Sequence, residues 1–197
     1  MGYNIGICKV KWKSPASSYK DGKQEQTRPY KIWRAMMQRQ KLEYVDRNRG
    51  YEGVKVSKDF EDYDIFYGWF INQVGNSSFD DHGHYFQMDK DLLGNGLIYT
   101  KDICVFLPRE INNATIKPKK KKELPTGVYK SKNRYVSKIS RYNIERNLGS
   151  FKTIEEAFSA YKEAKESYVL ELAEKWKDKI DIRAYNTLIN YSINVED

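Results

Sequence analysis

Two carboxylates, Asp89 and Asp91, flank Lys90 in the stretch HYFQMDKD that runs from His84 to Asp91. On a strand, residues i and i+2 project to the same face, so a strand here would set the two carboxylates side by side. Paired carboxylates suit a hard divalent cation such as Mg²⁺, and a bound cation can activate water for attack on a phosphodiester. His82 and His84 stand just upstream. Two imidazoles without a third ligand are a weak metal signal. Plainer readings compete: Asp89–Lys90–Asp91 as a salt-bridged surface turn, and His-Gly-His as a solvated loop. A second chemical feature lies further on, where Lys and Arg gather on strand-like segments and Asp and Glu are confined to the helix that follows.

The elements that would position these groups follow from periodicity. After a polar start with one strand-like stretch, Ile5 to Trp12, helical spacing places Trp33, Met36 and Met37 on one face. Residues 47–53 read as a loop and Val54 to Val56 as a short strand. A second helix is expected over 59–74, carrying Tyr63, Phe66, Tyr67 and Phe70, and residues 76–83 are rich in turn formers. From His84 the pattern gives a strand, a Gly94–Asn95–Gly96 turn, a second strand around Ile103 to Phe106 and a helix start near Pro108. The run KPKKKK, residues 117–122, is a composition break and reads as a basic linker able to hold phosphate. Beyond it, Tyr135, Ser137 and Ile139 alternate with Val136, Lys138 and Ser140 in one of two or three short strands. Thr153 then caps a helix that can extend to about Lys179, with Glu155 and Glu156 in its first turn. Asp181 can cap a last helix.

Composition narrows the function. Of 197 residues 40% are hydrophobic, enough for a core, and the 16 Tyr and 4 Trp supply large anchors with one polar end. Lys and Arg outnumber Asp and Glu by 35 to 27, a net charge of +8 that suits a polyanion, because neutralised phosphates release counterions. Cys8 and Cys104 form no CxxC pair, which disfavours a cysteine-rich zinc site or a disulfide framework. No apolar run approaches the ~20 residues of a membrane helix, and residues 1–12 have no apolar export signal, so a cytoplasmic protein is expected. Phosphate-loop and GxSxG signatures are missing, which disfavours nucleotide hydrolysis and acyl transfer.

The C-terminal stretch GVYKSKNRYVSKI, then LGSF, then TIEEAFSAYKEAK resembles the plant ethylene-response-factor (AP-two) DNA-binding domain across Gly127 to Lys165. The resemblance implies three strands packed on one helix, with the opposite sheet face reading DNA. It makes Lys130, Lys132, Arg134, Lys138, Arg141 and Arg146 the DNA-binding residues. Tyr129 stands where that family usually has Arg, and the family's third-strand Trp is absent.

Residues 30–113 resemble a phage group of HNH endonucleases, in which such a core often precedes this kind of DNA-reading module. That resemblance lays Met88 to Asp91 on the Asp-His strand, Tyr99 to Pro108 on the middle turn, and Asn112 or Asn113 on the last ligand. Asp89, Asp91 and Asn112 or Asn113 would then hold Mg²⁺. Lys90 replaces the general-base His, and a Lys accepts a proton near neutral pH only if its pKa is strongly depressed. His82 or His84 could substitute if the loop folds back. The catalytic set so implied is Asp89, Lys90, Asp91 and His84.

The expected fold is therefore α+β: an HNH-like (ββα) domain over residues 1–115, a basic linker over 116–126, and an AP-two-like module with a helical extension over 127–197. Two functions follow. One is a Mg²⁺-dependent, homing-type DNA endonuclease of a phage or mobile element. The other is a non-catalytic phage protein that grips double-stranded DNA or a host protein on a degenerate HNH scaffold.

Overall fold

The computed structural model describes residues 13–116 and 123–195. The strand expected at Ile5 to Trp12, Cys8 and the basic run 117–122 lie outside the described residues. In chain order the elements are β1 (Ser17–Lys20), β2 (Lys23–Gln26), α1 (Arg28–Arg39), α2 (Leu42–Arg47), β3 (Lys55–Val56), α3 (Lys58–Glu61), α4 (Tyr63–Ile71), β4 (Gln87–Asp89), β5 (Ile98–Tyr99), β6 (Val105–Leu107), α5 (Arg109–Thr115), β7 (Val128–Ser131), β8 (Arg134–Arg141), β9 (Ile144–Phe151), α6 (Ile154–Trp176) and α7 (Ile182–Ile189). Helices and small separate sheets make this an α+β chain. Among the described residues, no helix is long and apolar enough to cross a membrane.

Contacts divide the chain into two units: residues up to Asn72 with Leu97–Asp102, and Gln73–Gly96 with Ile103 onward. The basic run at 117–122 therefore does not separate them. The segments 73–96 and 103–116, read in the sequence as part of the N-terminal domain, belong with the C-terminal sheet and helices.

In the first unit β1 and β2 form a hairpin whose Asp21 and Gly22 both have positive φ, 50° and 73°. That geometry matches the twist of the strands and favours Asp-Gly. All eight strand residues are exposed, so no alternation announced them. Helix α1 starts with Pro29 in its first turn and buries Trp33 and Met36, and the Trp33 indole donates to the Phe60 carbonyl at 2.8 Å. The single helix expected over 59–74 is two. Asp62 takes an extended conformation, and its carboxylate accepts the Asp64 and Ile65 amides, restarting the chain as α4. Strands β3 and β5 pair in parallel, Lys55 with Ile98 and Val56 with Tyr99.

In the second unit β4 pairs antiparallel with β6, Gln87 with Leu107 and Asp89 with Val105, and α5 follows from Pro108. Strands β7, β8 and β9 form an antiparallel meander. Helix α6 opens with a full capping box: Thr153 accepts the Glu156 amide and Glu156 reaches back to the Thr153 amide. Its buried side chains, among them Ala157, Tyr161, Val169, Leu172 and Trp176, anchor it to the unit. Burial of each large one contributes about 1.5–3 kcal/mol, far more than helix propensity, so packing holds the helix. Asp181 caps α7 by accepting the Arg183 amide at 2.8 Å.

Candidate nucleic-acid interface

The register of the three-stranded sheet decides which cations share a face. Ser137 and Ile139 are buried, on the side that α6 covers. Side chains alternate along a strand and match across a pair. The other face therefore carries Tyr129, Arg134, Val136, Lys138, Asn147 and Ser150, paired as Tyr129–Val136–Ser150 and Lys138–Asn147.

Only some of the six expected DNA-binding cations lie there. Arg134 and Lys138 do, and Lys132 sits at the β7–β8 turn with φ 52°. Lys130 pairs with Tyr135, Arg146 with Ile139 and Arg141 with Ile144, so all three follow the helix-side alternation. Arg141 is further committed, bonding the Glu171 carboxylate and stacking over the Tyr168 ring at 5.0 Å. The expectation that all six share one reading face is corrected: Lys130 and Arg146 are exposed on the other side, and Arg141 holds α6 to the sheet.

Two free-face cations are oriented by neighbours. The Arg134 guanidinium donates to the Ser150 hydroxyl at 2.9 Å and to its carbonyl at 2.5 Å. The Lys138 ammonium donates to Glu145 at 2.7 Å and lies 5.8 Å from the Tyr129 ring centroid. The hydrogen bond to Glu145 holds Lys138 above its ordinary lysine value. Glu145 is itself a strand residue, so acids are not confined to the helix. Tyr129, where the plant pattern has Arg, is half exposed on the free face beside Lys138.

The carboxylates read as a metal pair do not form one. Strand β4 ends at Asp89, so Asp91 is not its same-face neighbour. The Asp89 carboxylate accepts the amides of Asp91 and Leu92 at 3.0 and 2.8 Å and so shapes the turn. Burial pushes its carboxyl above the ordinary value, the two amides pulling the other way. Asp91 instead pairs with Lys90 at 2.9 Å, and Lys90 is only 5% exposed. A buried ammonium engaged with a carboxylate is poorly placed to accept a proton from water. Asn112 donates to Gln87 at 3.3 Å and leaves its Oδ1 buried without a hydrogen-bond partner, an oxygen a cation could use. No group of three or more His, Cys, Asp or Glu that could hold a metal occurs among the described residues. These residues fit Mg²⁺ poorly.

Replacing Asp89 with Asn separates the turn role from a charge role. A carboxyl raised by burial binds its proton more tightly folded than unfolded, so its ionised form costs stability at neutral pH. Asp89→Asn keeps an oxygen for the two amides without that charge. The variant is expected to be at least as stable as wild type at neutral pH. Its advantage should shrink as pH falls through the raised carboxyl range and vanish below the unfolded value, which thermal melts across pH would show.

His84 and Asn113 do come together, in a cleft of about 410 Å³ within the second unit that Arg109, Tyr142 and Lys165 also line. Asp89, Lys90, Asp91 and Asn112 are outside it. Sequence reasoning missed Arg109, Tyr142 and Lys165, because four distant segments assemble the cleft and no spacing links them. The chain matches no known family model, no curated protein and no solved structure.

Proposed function

We propose that the protein binds double-stranded DNA through the free face of its three-stranded sheet, with the β4–β6–α5 segment serving as a non-catalytic scaffold. The observation that carries this reading is the uncovered sheet face, where Arg134 and Lys138 stand beside Tyr129 with Lys132 at its tip. Three strands ~4.8 Å apart span roughly 10 Å, comparable with the ~12 Å width of a major groove. A net charge of +8 adds favourable counterion release. A Mg²⁺-dependent endonuclease is the second reading. The order β4, β6, α5 favours it as a ββα arrangement, and the turn-forming Asp89 and salt-bridged Lys90 weigh against it.

A salt-titrated gel shift of duplex DNA, run with and without Mg²⁺ or Mn²⁺, tests both. The expected result is a shift without cutting. The log–log salt slope should fall by about 1 for each phosphate-contacting cation removed in Arg134→Ala and Lys138→Ala. Cutting that Asp89→Ala abolishes would establish the second reading instead. Neither shift nor cutting would sink both and leave a host protein as the partner to seek.

A further inference from the structure

We propose that the cleft on the helix side of the C-terminal sheet is a phosphate-ester site, centred on Arg109 and Lys165. It goes beyond the sheet-face reading and uses none of the free-face residues. One wall is the loop Asp80 to His84, a tight turn in which Asp80 accepts the His82 and His84 amides at 3.0 and 2.9 Å, with Gly83 at φ 75°. The start of α5 supplies Arg109, and α6 supplies Lys165. The β8–β9 turn closes the cleft with Tyr142 and Asn143, whose φ values of 52° and 62° allow a two-residue loop.

The charges sort themselves. Lys175 takes up two of the cleft's acids, bonding Asp81 at 2.6 Å and Glu110 at 2.7 Å. Desolvation pulls Lys175 down, but those two carboxylates outweigh it and hold the ammonium charged. Asp80 is engaged with its own loop amides and lies 3.4 Å from the His84 imidazole. Burial and the Glu171 carboxylate, 2.9 Å from the Tyr142 hydroxyl, push Tyr142 up to about 12, so it remains a neutral donor.

Arg109 and Lys165, by contrast, have no carboxylate or hydrogen-bond partner among the described residues. Burial lowers Lys165 below its ordinary value, the mark of a cation partly removed from water without compensation. An anion would supply the missing partner. The Asn113 and Asn143 amides add uncharged donors, and the Tyr142 ring, 42% exposed, offers an apolar edge. A volume of about 410 Å³ falls in the range of small-ligand sites, roughly 300–1,000 Å³. A phosphate on a nucleotide matches this mixture better than a bare carboxylate, since it offers several oxygens to a guanidinium fork and an ammonium.

The full chain is titrated by calorimetry with inorganic phosphate and with deoxythymidine monophosphate at millimolar concentration. Saturable binding is expected, weakened about tenfold or more by Lys165→Met and by Arg109→Gln, and unchanged by Arg134→Ala. Arg109 is exposed, so its variant should fold normally, and melting curves check both. No saturable binding, or binding indifferent to both variants, overturns the proposal. Duplex DNA that competes with the nucleotide makes a nucleic-acid backbone the source of the phosphate. Failure to compete makes it a free nucleotide, and either outcome supports the site. A missing gel shift with nucleotide binding intact would defeat the sheet-face reading alone.

Discussion

Trp176→Ala is expected to destabilise the second unit by about 3–5 kcal/mol, the cost of emptying a large aromatic site. Trp176 is 2% exposed at the end of α6. Its ring meets Phe86 edge to face with centroids 5.3 Å apart, and its indole N–H donates to Glu110. Phe86 lies just before β4 and Glu110 in α5, so this one side chain ties the two-strand segment to the C-terminal helix. Removing it leaves a cavity and also strips Glu110 of a donor while Lys175 still holds that carboxylate. The melting transition of this unit should fall by on the order of 10 °C. Trp176→Phe keeps an aromatic ring against Phe86 and loses chiefly the hydrogen bond, so its cost should be nearer 1–2 kcal/mol. If the two variants were equally mild, α6 would not be held through this contact, and differential scanning calorimetry would show it.

The parts legible in the sequence were those governed by local rules. Thr153 with Glu156 announced the start of α6, and Asp181 that of α7, because a cap is a side chain bonding backbone two or three residues away. The alternation of Ser137 and Ile139 with Val136 and Lys138 gave β8 its two faces. Arg146 could not be placed that way, since Leu148 has no partner where the β8–β9 register shifts and the alternation slips. Asp91 was misplaced for a related reason. Asp89 can continue a strand or fold back to take the amides of residues two and three further on, and the latter turns the chain. Asp62 does the same between Phe60 and Tyr63 and divides one expected helix into two. The parallel β3–β5 pairing and the cleft are non-local, joining segments far apart in the chain. Nothing in the composition of Lys55–Val56 indicates Ile98 as a partner. The acids and cations of the cleft could be sorted only once Lys175 was seen to hold Asp81 and Glu110.

Gly127→Ala should be nearly as damaging as Trp176→Ala, although it adds a single carbon. Gly127 precedes β7 with φ 81°, the left-handed region that L side chains avoid at a cost of about 1–2 kcal/mol. A Cβ there would lie 2.1 Å from the Tyr161 ring. That ring is buried within the sheet–helix contact, so it has little room to withdraw. Overpacking of this kind costs about 1–3 kcal/mol more, for a total of roughly 2–5 kcal/mol. Tyr161→Ala in the same chain should recover part of the loss, because it removes the clash and leaves only the backbone strain and a cavity. A sub-additive double variant would show that Gly127 is required by the approach of α6 rather than by the turn alone. The carbonyl of Gly127 also accepts the Lys138 amide at 2.9 Å, so a shift here displaces a free-face cation. If the sheet face binds duplex DNA as proposed, Gly127→Ala should therefore weaken that binding in gel shifts even below its melting temperature, whereas a substitution confined to stability would leave the folded fraction binding normally.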